Sequence, residues 1–125
     1  MFSVVKELHK MSLNVFSELG DLSKIDIIVE TKGKLVKVQV KYAPMKNGGI
    51  KLSLRKCGPN GYRYTYTSQD VDVFAVYCPT NDKVYWIPAS EACKSASSFG
   101  LRVLPTKKPN STLRMAEDYS NFMAV

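Results

Sequence analysis

The stretch that decides the fold is IDIIVETKGKLVKVQVKY, residues 25–42. Two runs rich in β-branched residues, 25–30 and 35–42, flank the dipeptide Lys32-Gly33. That pattern predicts a β-hairpin closed by a two-residue turn, in which Thr31 and Lys34 face each other. Counting back from that pair, Val29 faces Val36, Ile27 faces Val38 and Ile25 faces Val40, which makes one face wholly apolar. On the alternate face Glu30 meets Leu35, Ile28 meets Lys37 and Asp26 meets Gln39, with Lys41 two residues further on.

Outward from the hairpin, apolar residues at helical spacing predict a helix over 3–11 and a strand at 14–16. Beyond Pro44, a turn at Asn47-Gly48-Gly49 precedes a strand at 50–54. Gly58-Pro59-Asn60-Gly61 separates that from an extended piece at 62–67. VDVFAVY (71–77) and KVYWI (83–87) read as a second hairpin. Helical turns at 89–94, a strand at 99–104 and a helix at 115–123 complete the chain. The order helix, strands, helix predicts an α/β (α+β) domain with a central mixed sheet, and 125 residues suit one domain, 1–125.

Composition narrows the function classes. No apolar run reaches the roughly 18 residues needed to span a bilayer, and the N-terminus lacks the pattern of a signal peptide, so an intracellular, non-membrane protein is expected. Cys57, Cys78 and Cys93 are odd in number and widely spaced, and His9 is the lone histidine. Neither a disulfide framework nor a zinc site is indicated.

The net charge of +7 is unevenly spread. From Thr31 to Gln69 there is no acid, while Lys32, Lys34, Lys37, Lys46, Lys51, Arg55, Lys56 and Arg63 recur among tyrosines. Such a block can track the phosphates of a nucleic acid, although a solvated pair of strands would carry the same charges.

Asp26, Gln39 and Lys41 are the residue types that metal-assisted phosphodiester hydrolysis needs. A carboxylate and an amide oxygen can ligate a hard cation, and a lysine can position water or balance charge on phosphorus. An ordinary hairpin with a polar outer face has the same pattern. Asp70 and Asp72 read as caps, Glu91 and Glu117 as surface, and Trp86 and the tyrosines as core. Arg102 and Arg114 could touch phosphate or pair with Glu117 or Asp118.

KIDIIVETKGKLVKVQVKYA (24–43), continued by YTYTSQDVDVFAVYCPTNDKVYWIP (64–88) and more loosely by 97–119, resembles the PD-(D/E)XK nuclease superfamily. It is most similar to the branch with a QxK motif that includes group I intron-encoded homing endonucleases. The resemblance implies a restriction-endonuclease-like core flanked by an N-terminal and a C-terminal helix. It also implies a site-specific DNA endonuclease using Mg²⁺ (Mn²⁺ substituting), with Asp26, Gln39 and Lys41 catalytic and the first two on the metal. Assembly into a homodimer or homotetramer and a cytoplasmic, nucleoid-associated setting in a prokaryote or phage follow from the same likeness. A Holliday-junction resolvase, a restriction-like nuclease and a DNA-binding protein with a degenerate nuclease fold are the alternatives. Family members usually carry a Glu in the first helix, far upstream of the Asp. Counting back from Asp26 reaches the start of the chain, where no acid stands, which leaves Glu7 and Glu18 as candidates for an additional acid.

Overall fold

A computed structural model describes residues 2–17, 25–57, 63–95, 98–105 and 114–122. The hairpin decides the architecture as expected. Strands β2 (Ile27–Thr31) and β3 (Lys34–Tyr42) pair antiparallel with Thr31 opposite Lys34, Val29 opposite Val36 and Ile27 opposite Val38. Lys32 and Gly33 both take positive φ, 51° and 75°, the left-handed pair that a type I′ turn requires and that glycine adopts without strain.

Helix α1 (Phe2–Lys10) leads into β1 (Asn14–Ser17), which pairs antiparallel with β2. β7 (Val73–Cys78) lies parallel to β3, and β8 (Lys83–Pro88) returns antiparallel to β7. The result is a five-stranded mixed sheet in the order β1-β2-β3-β7-β8. A parallel neighbour needs a crossover. Here residues 43–72 supply it, and their described part carries strands and no helix: β4 (Gly49–Ser53), β5 (Arg55–Cys57) and β6 (Arg63–Thr65). β4 pairs with β9 (Ser98–Arg102), and β5 pairs with β6.

Each face of the sheet buries a separate core. On one side Val4 and Leu8 of α1 pack with Ile27, Val29, Val38, Val73, Ala75 and Trp86. On the other, Phe74, Val76 and Ile87 meet Ile50, Leu52, Leu54, Tyr66, Phe99 and Leu101, with α2 (Ala89–Ala92) closing the edge. The 3.6-residue period of α1 and the two-residue period of the strands produce these faces directly. The strong turn at Asn47-Gly48 is a second type I′ turn, with φ of 51° and 77° and reciprocal backbone bonds between Lys46 and Gly49 of 2.8 and 3.0 Å. Arg102 pins it by donating from Nη1 to the Asn47 carbonyl at 2.6 Å.

Three local expectations change. The helix expected over 115–123 is a four-residue 3₁₀ turn, Ala116–Tyr119, anchored by Phe122 edge-on to Trp86 at 5.0 Å. A single turn suffices because Ala116 and Phe122 bury the few apolar groups present. Strand β5 was not foreseen; three residues between turn signals give too short a period to read. Ile25 does not share the apolar face of Ile27. It packs in the opposite core, because the chain bends at Asp26. Among the described residues no helix is long and apolar enough to cross a membrane.

Candidate active site

The bend at Asp26 builds the site. The ladder between β2 and β3 ends at Ile27–Val38. One residue earlier the Asp26 N–H donates to the Val38 carbonyl at 3.0 Å, one position out of register. The slip leaves the Val40 N–H without a strand partner, and the Asp26 carboxylate takes it, Oδ2 accepting at 2.8 Å. Asp26 and Gln39 are therefore not the in-register pair that the hairpin count predicts. The carboxylate instead sits on the peptide of Val40, the residue between Gln39 and Lys41. A buried-strand amide left unpaired would cost about 1–3 kcal/mol, so the carboxylate is a structural splice as well as a candidate ligand.

Gln39 and Lys41 project from β3 on the side away from α1. Their parallel neighbours are Phe74 and Val76, both in the core beneath β4 and β9. This face is not the polar outer face of a free hairpin: the crossover strands cover it. Gln39 is 5% exposed, the one buried polar residue among those described, and its Oε1 makes no hydrogen bond. Proteins rarely leave a buried amide oxygen unpaired. Lys41 is half-buried, and its Nζ stands 4.6 Å from the centroid of the Tyr66 ring.

The donor set suits a hard divalent cation. The carboxylate has its second oxygen beyond the one used on Val40, and the Gln39 carbonyl is an oxygen donor without a hydrogen bond. Among the described residues no three His, Cys, Asp or Glu gather into a metal cluster. Glu7 stands on α1. Its helix packs on the opposite face of the sheet, because Val4 and Leu8 bury there, and its carboxylate pairs with Lys10 at 3.3 Å. Glu18 lies outside the described residues.

The acid-free basic block divides in two. Lys32 and Lys34 are exposed at the hairpin tip, and eight residue steps of β3 put them roughly 26 Å from Tyr42. Lys46, Lys51 and Arg55 line a groove of 690 Å³ with Tyr42, Ile50 and Ser53 at the other end of that strand. Lys37 is half-buried and tied to the crossover, its Nζ donating to the Gln69 carbonyl at 3.0 Å. The side chains of Lys56 and Arg63 lie outside the described part. The continuous phosphate track suggested by the sequence is thus one groove and one remote tip, because a strand and a crossover separate residues that are close in sequence.

The remaining polar residues take structural parts. Asp70 Oδ2 accepts from the Thr67 N–H at 2.8 Å, and Asp72 Oδ2 accepts from the Lys37 N–H at 2.9 Å. Arg114 lies over the Phe99 ring and 3.9 Å from Glu91, not on Glu117 or Asp118. Tyr119 donates to Glu91, and burial followed by that bond pushes its hydroxyl pKa up to about 12. Burial likewise raises the Cys93 thiol above its ordinary range, and the charge of Asp70 adds to the shift. A hydrogen bond to Asp82 raises the Tyr77 hydroxyl. Tyr66 is core, as its residue type suggests, but its contact with Lys41 was not legible in the sequence: no spacing rule links residue 66 to residue 41 across the crossover.

The family model of the PD-(D/E)XK endonucleases matches residues 2–122, and the chain belongs to that family. Its fold is similar to that of a bacterial homing endonuclease, I-Ssp6803I, with a TM-score of 0.74 and 24% identity over 94% of this chain and 81% of that one. At that identity the likeness is one of fold. No curated protein sequence matches the chain significantly.

Proposed function

We propose that this protein is a metal-dependent endonuclease that hydrolyses phosphodiester bonds in double-stranded DNA, with Asp26, Gln39 and Lys41 as its catalytic residues. The observation that carries the proposal is the capture of the Val40 amide by Asp26, which seats a carboxylate on the peptide that separates Gln39, whose buried Oε1 lacks a hydrogen bond, from the half-buried Lys41. Nucleases of this family generally use divalent ions, and Mg²⁺, with Mn²⁺ as substitute, suits an all-oxygen donor set.

Asp26 and Gln39 would hold a divalent ion, which would supply Lewis-acid polarisation for phosphodiester hydrolysis. The strand amide of Val40 keeps Asp26 in place. Gln39 contributes a dipole without charge, so the site carries one negative charge fewer than a site with two carboxylates. Lys41 places a positive charge where negative charge grows on the phosphoryl group, or orients the attacking water. Lys46, Lys51 and Arg55 bind backbone phosphates along the groove. Homing-type site specificity is the finer reading, supported by the fold likeness. One domain of this size reads few base pairs, so a homodimer or homotetramer that presents one site to each strand fits the task.

A metal-titrated cleavage assay on a plasmid library, with Lys41→Ala as control, tests the proposal. Mg²⁺-dependent nicking lost in the variant is the expected result, and wild-type-like cutting by the variant would rule out the site. The pairing of Glu7 with Lys10, on a helix packed against the opposite face of the sheet, favours a second reading, a DNA-binding protein with a degenerate nuclease site. Salt-sensitive DNA binding without cleavage at any metal concentration would support that reading.

A further inference from the structure

We infer that Tyr66 is a positioning residue, whose ring face holds the ammonium of Lys41 at the reacting phosphate. The inference rests on the nuclease reading of Asp26, Gln39 and Lys41 and goes beyond it to a residue outside the sequence motif.

Tyr66 is only 1% exposed and is fixed on several sides. Its N–H donates to the Leu54 carbonyl at 2.7 Å, and its own carbonyl accepts from Cys93 Sγ at 3.4 Å. Phe74, the parallel neighbour of Gln39, meets the ring nearly at right angles, 82°, with centroids 5.6 Å apart. Just beyond, the Thr67–Asp70 turn closes the loop through the Asp70 carboxylate. What the ring presents to Lys41 is its face, with Nζ 4.6 Å from the centroid. That lies within the roughly 6 Å over which an aromatic quadrupole attracts a cation.

The contact matters because of what a lysine is. Its four-carbon stem has many rotamers, and a charge that must meet a developing phosphorane-like oxygen works best when already placed. A ring face orients the cation through its quadrupole and carries no net charge of its own. The Leu54 carbonyl that anchors Tyr66 lies immediately before Arg55 of the basic groove, so the ring also joins the groove layer to the central strand.

Two measurements on the full-length protein test this. The first is the proton shift of the Lys41 ε-methylene, assigned by difference from Lys41→Arg. Ring current moves it upfield in wild type and in Tyr66→Phe, and Tyr66→Leu abolishes the shift. The second is the single-turnover cleavage rate with phenylalanine and then its mono-, di- and trifluoro forms at position 66, which keep the shape while draining the quadrupole. The expected result is near wild-type cutting with phenylalanine and a stepwise fall of roughly tenfold across the series, with DNA affinity unchanged. Fluorinated phenylalanines pack like the parent ring, so the series remains informative if Tyr66→Leu does not fold. A flat series in an active enzyme, or no upfield shift in wild type, overturns the role of Tyr66 alone. A wild type that binds DNA and never cuts overturns the nuclease reading, and the inference with it.

Discussion

Two aspartates clamp opposite edges of the central strand β3, and they do so with the same bond. Asp26 takes the Val40 N–H at 2.8 Å from the β2 side, and Asp72 takes the Lys37 N–H at 2.9 Å from the β7 side. Both repair a ladder where the neighbouring strand begins. Their surroundings differ. The amide held by Asp72 is flanked by Val36 and Val38, whose side chains enter the core under α1. Asp72 is further stitched in by its own backbone, to the Lys37 carbonyl and the Ala89 N–H, both at 2.9 Å. The amide held by Asp26 is flanked by Gln39 and Lys41, which point the other way. A carboxylate on a strand amide is therefore no site by itself. The residues on either side of that amide make it one.

The sharpest way to break the comparison is the same isosteric change on both sides. Asp26→Asn keeps an oxygen for the Val40 N–H but removes the charge, so cleavage should fall roughly 10²- to 10⁴-fold with little change in melting temperature. Asp72→Asn should cut like wild type. Equal losses in single-turnover assays would show that both carboxylates act through the fold. Lys41→Ala belongs with Asp26→Asn: activity should vanish while circular dichroism stays native.

Next in size is Gln39. Gln39→Leu removes the oxygen donor and with it most activity, about 10²-fold, whereas Gln39→Glu adds a charge beside the metal and should tighten its binding. Calorimetry with Mg²⁺ or Mn²⁺ in the presence of DNA separates the two. If Gln39→Leu binds metal and cuts normally, only Asp26 remains distinct from Asp72.

Smaller effects are expected at the groove. Lys51→Ala with Arg55→Ala should weaken binding to every sequence and flatten the log–log salt dependence by about two units. Lys32→Ala with Lys34→Ala, at the hairpin tip, should change that slope less, and the opposite ranking would move the DNA to the tip. The smallest effect is reserved for Asp72→Ala. It leaves the Lys37 amide unpaired, costs about 1–3 kcal/mol in denaturant unfolding, and leaves the cleavage rate of the folded protein unchanged.

Much of this arrangement is legible in local sequence. Lys32-Gly33 fixes the turn and hence the register from Thr31–Lys34 to Ile27–Val38, since side chains alternate with a period of two and an apolar face must stay buried. The hairpin across residues 79–82 and helix α1 are equally local. Legibility stops at Asp26, because periodicity assumes an unbroken ladder and the chain bends there. Gln39 reads as surface in an isolated hairpin. It is buried because strands 49–53 and 98–102, far apart in sequence, pair with each other and cover that face.

By itself, then, the sequence determined the hairpin, its register, the family motif and the positive charge, all of which depend on neighbours within a turn or two. The tertiary structure alone decided that Asp26 sits on the peptide between Gln39 and Lys41, that the helix of Glu7 packs on the opposite face of the sheet, that the basic block splits into groove and tip, and that Tyr66 stands over Lys41. Those outcomes depend on which distant strands cover which face, and burial of apolar surface, which has no direction along the chain, settles that only when the whole sheet assembles.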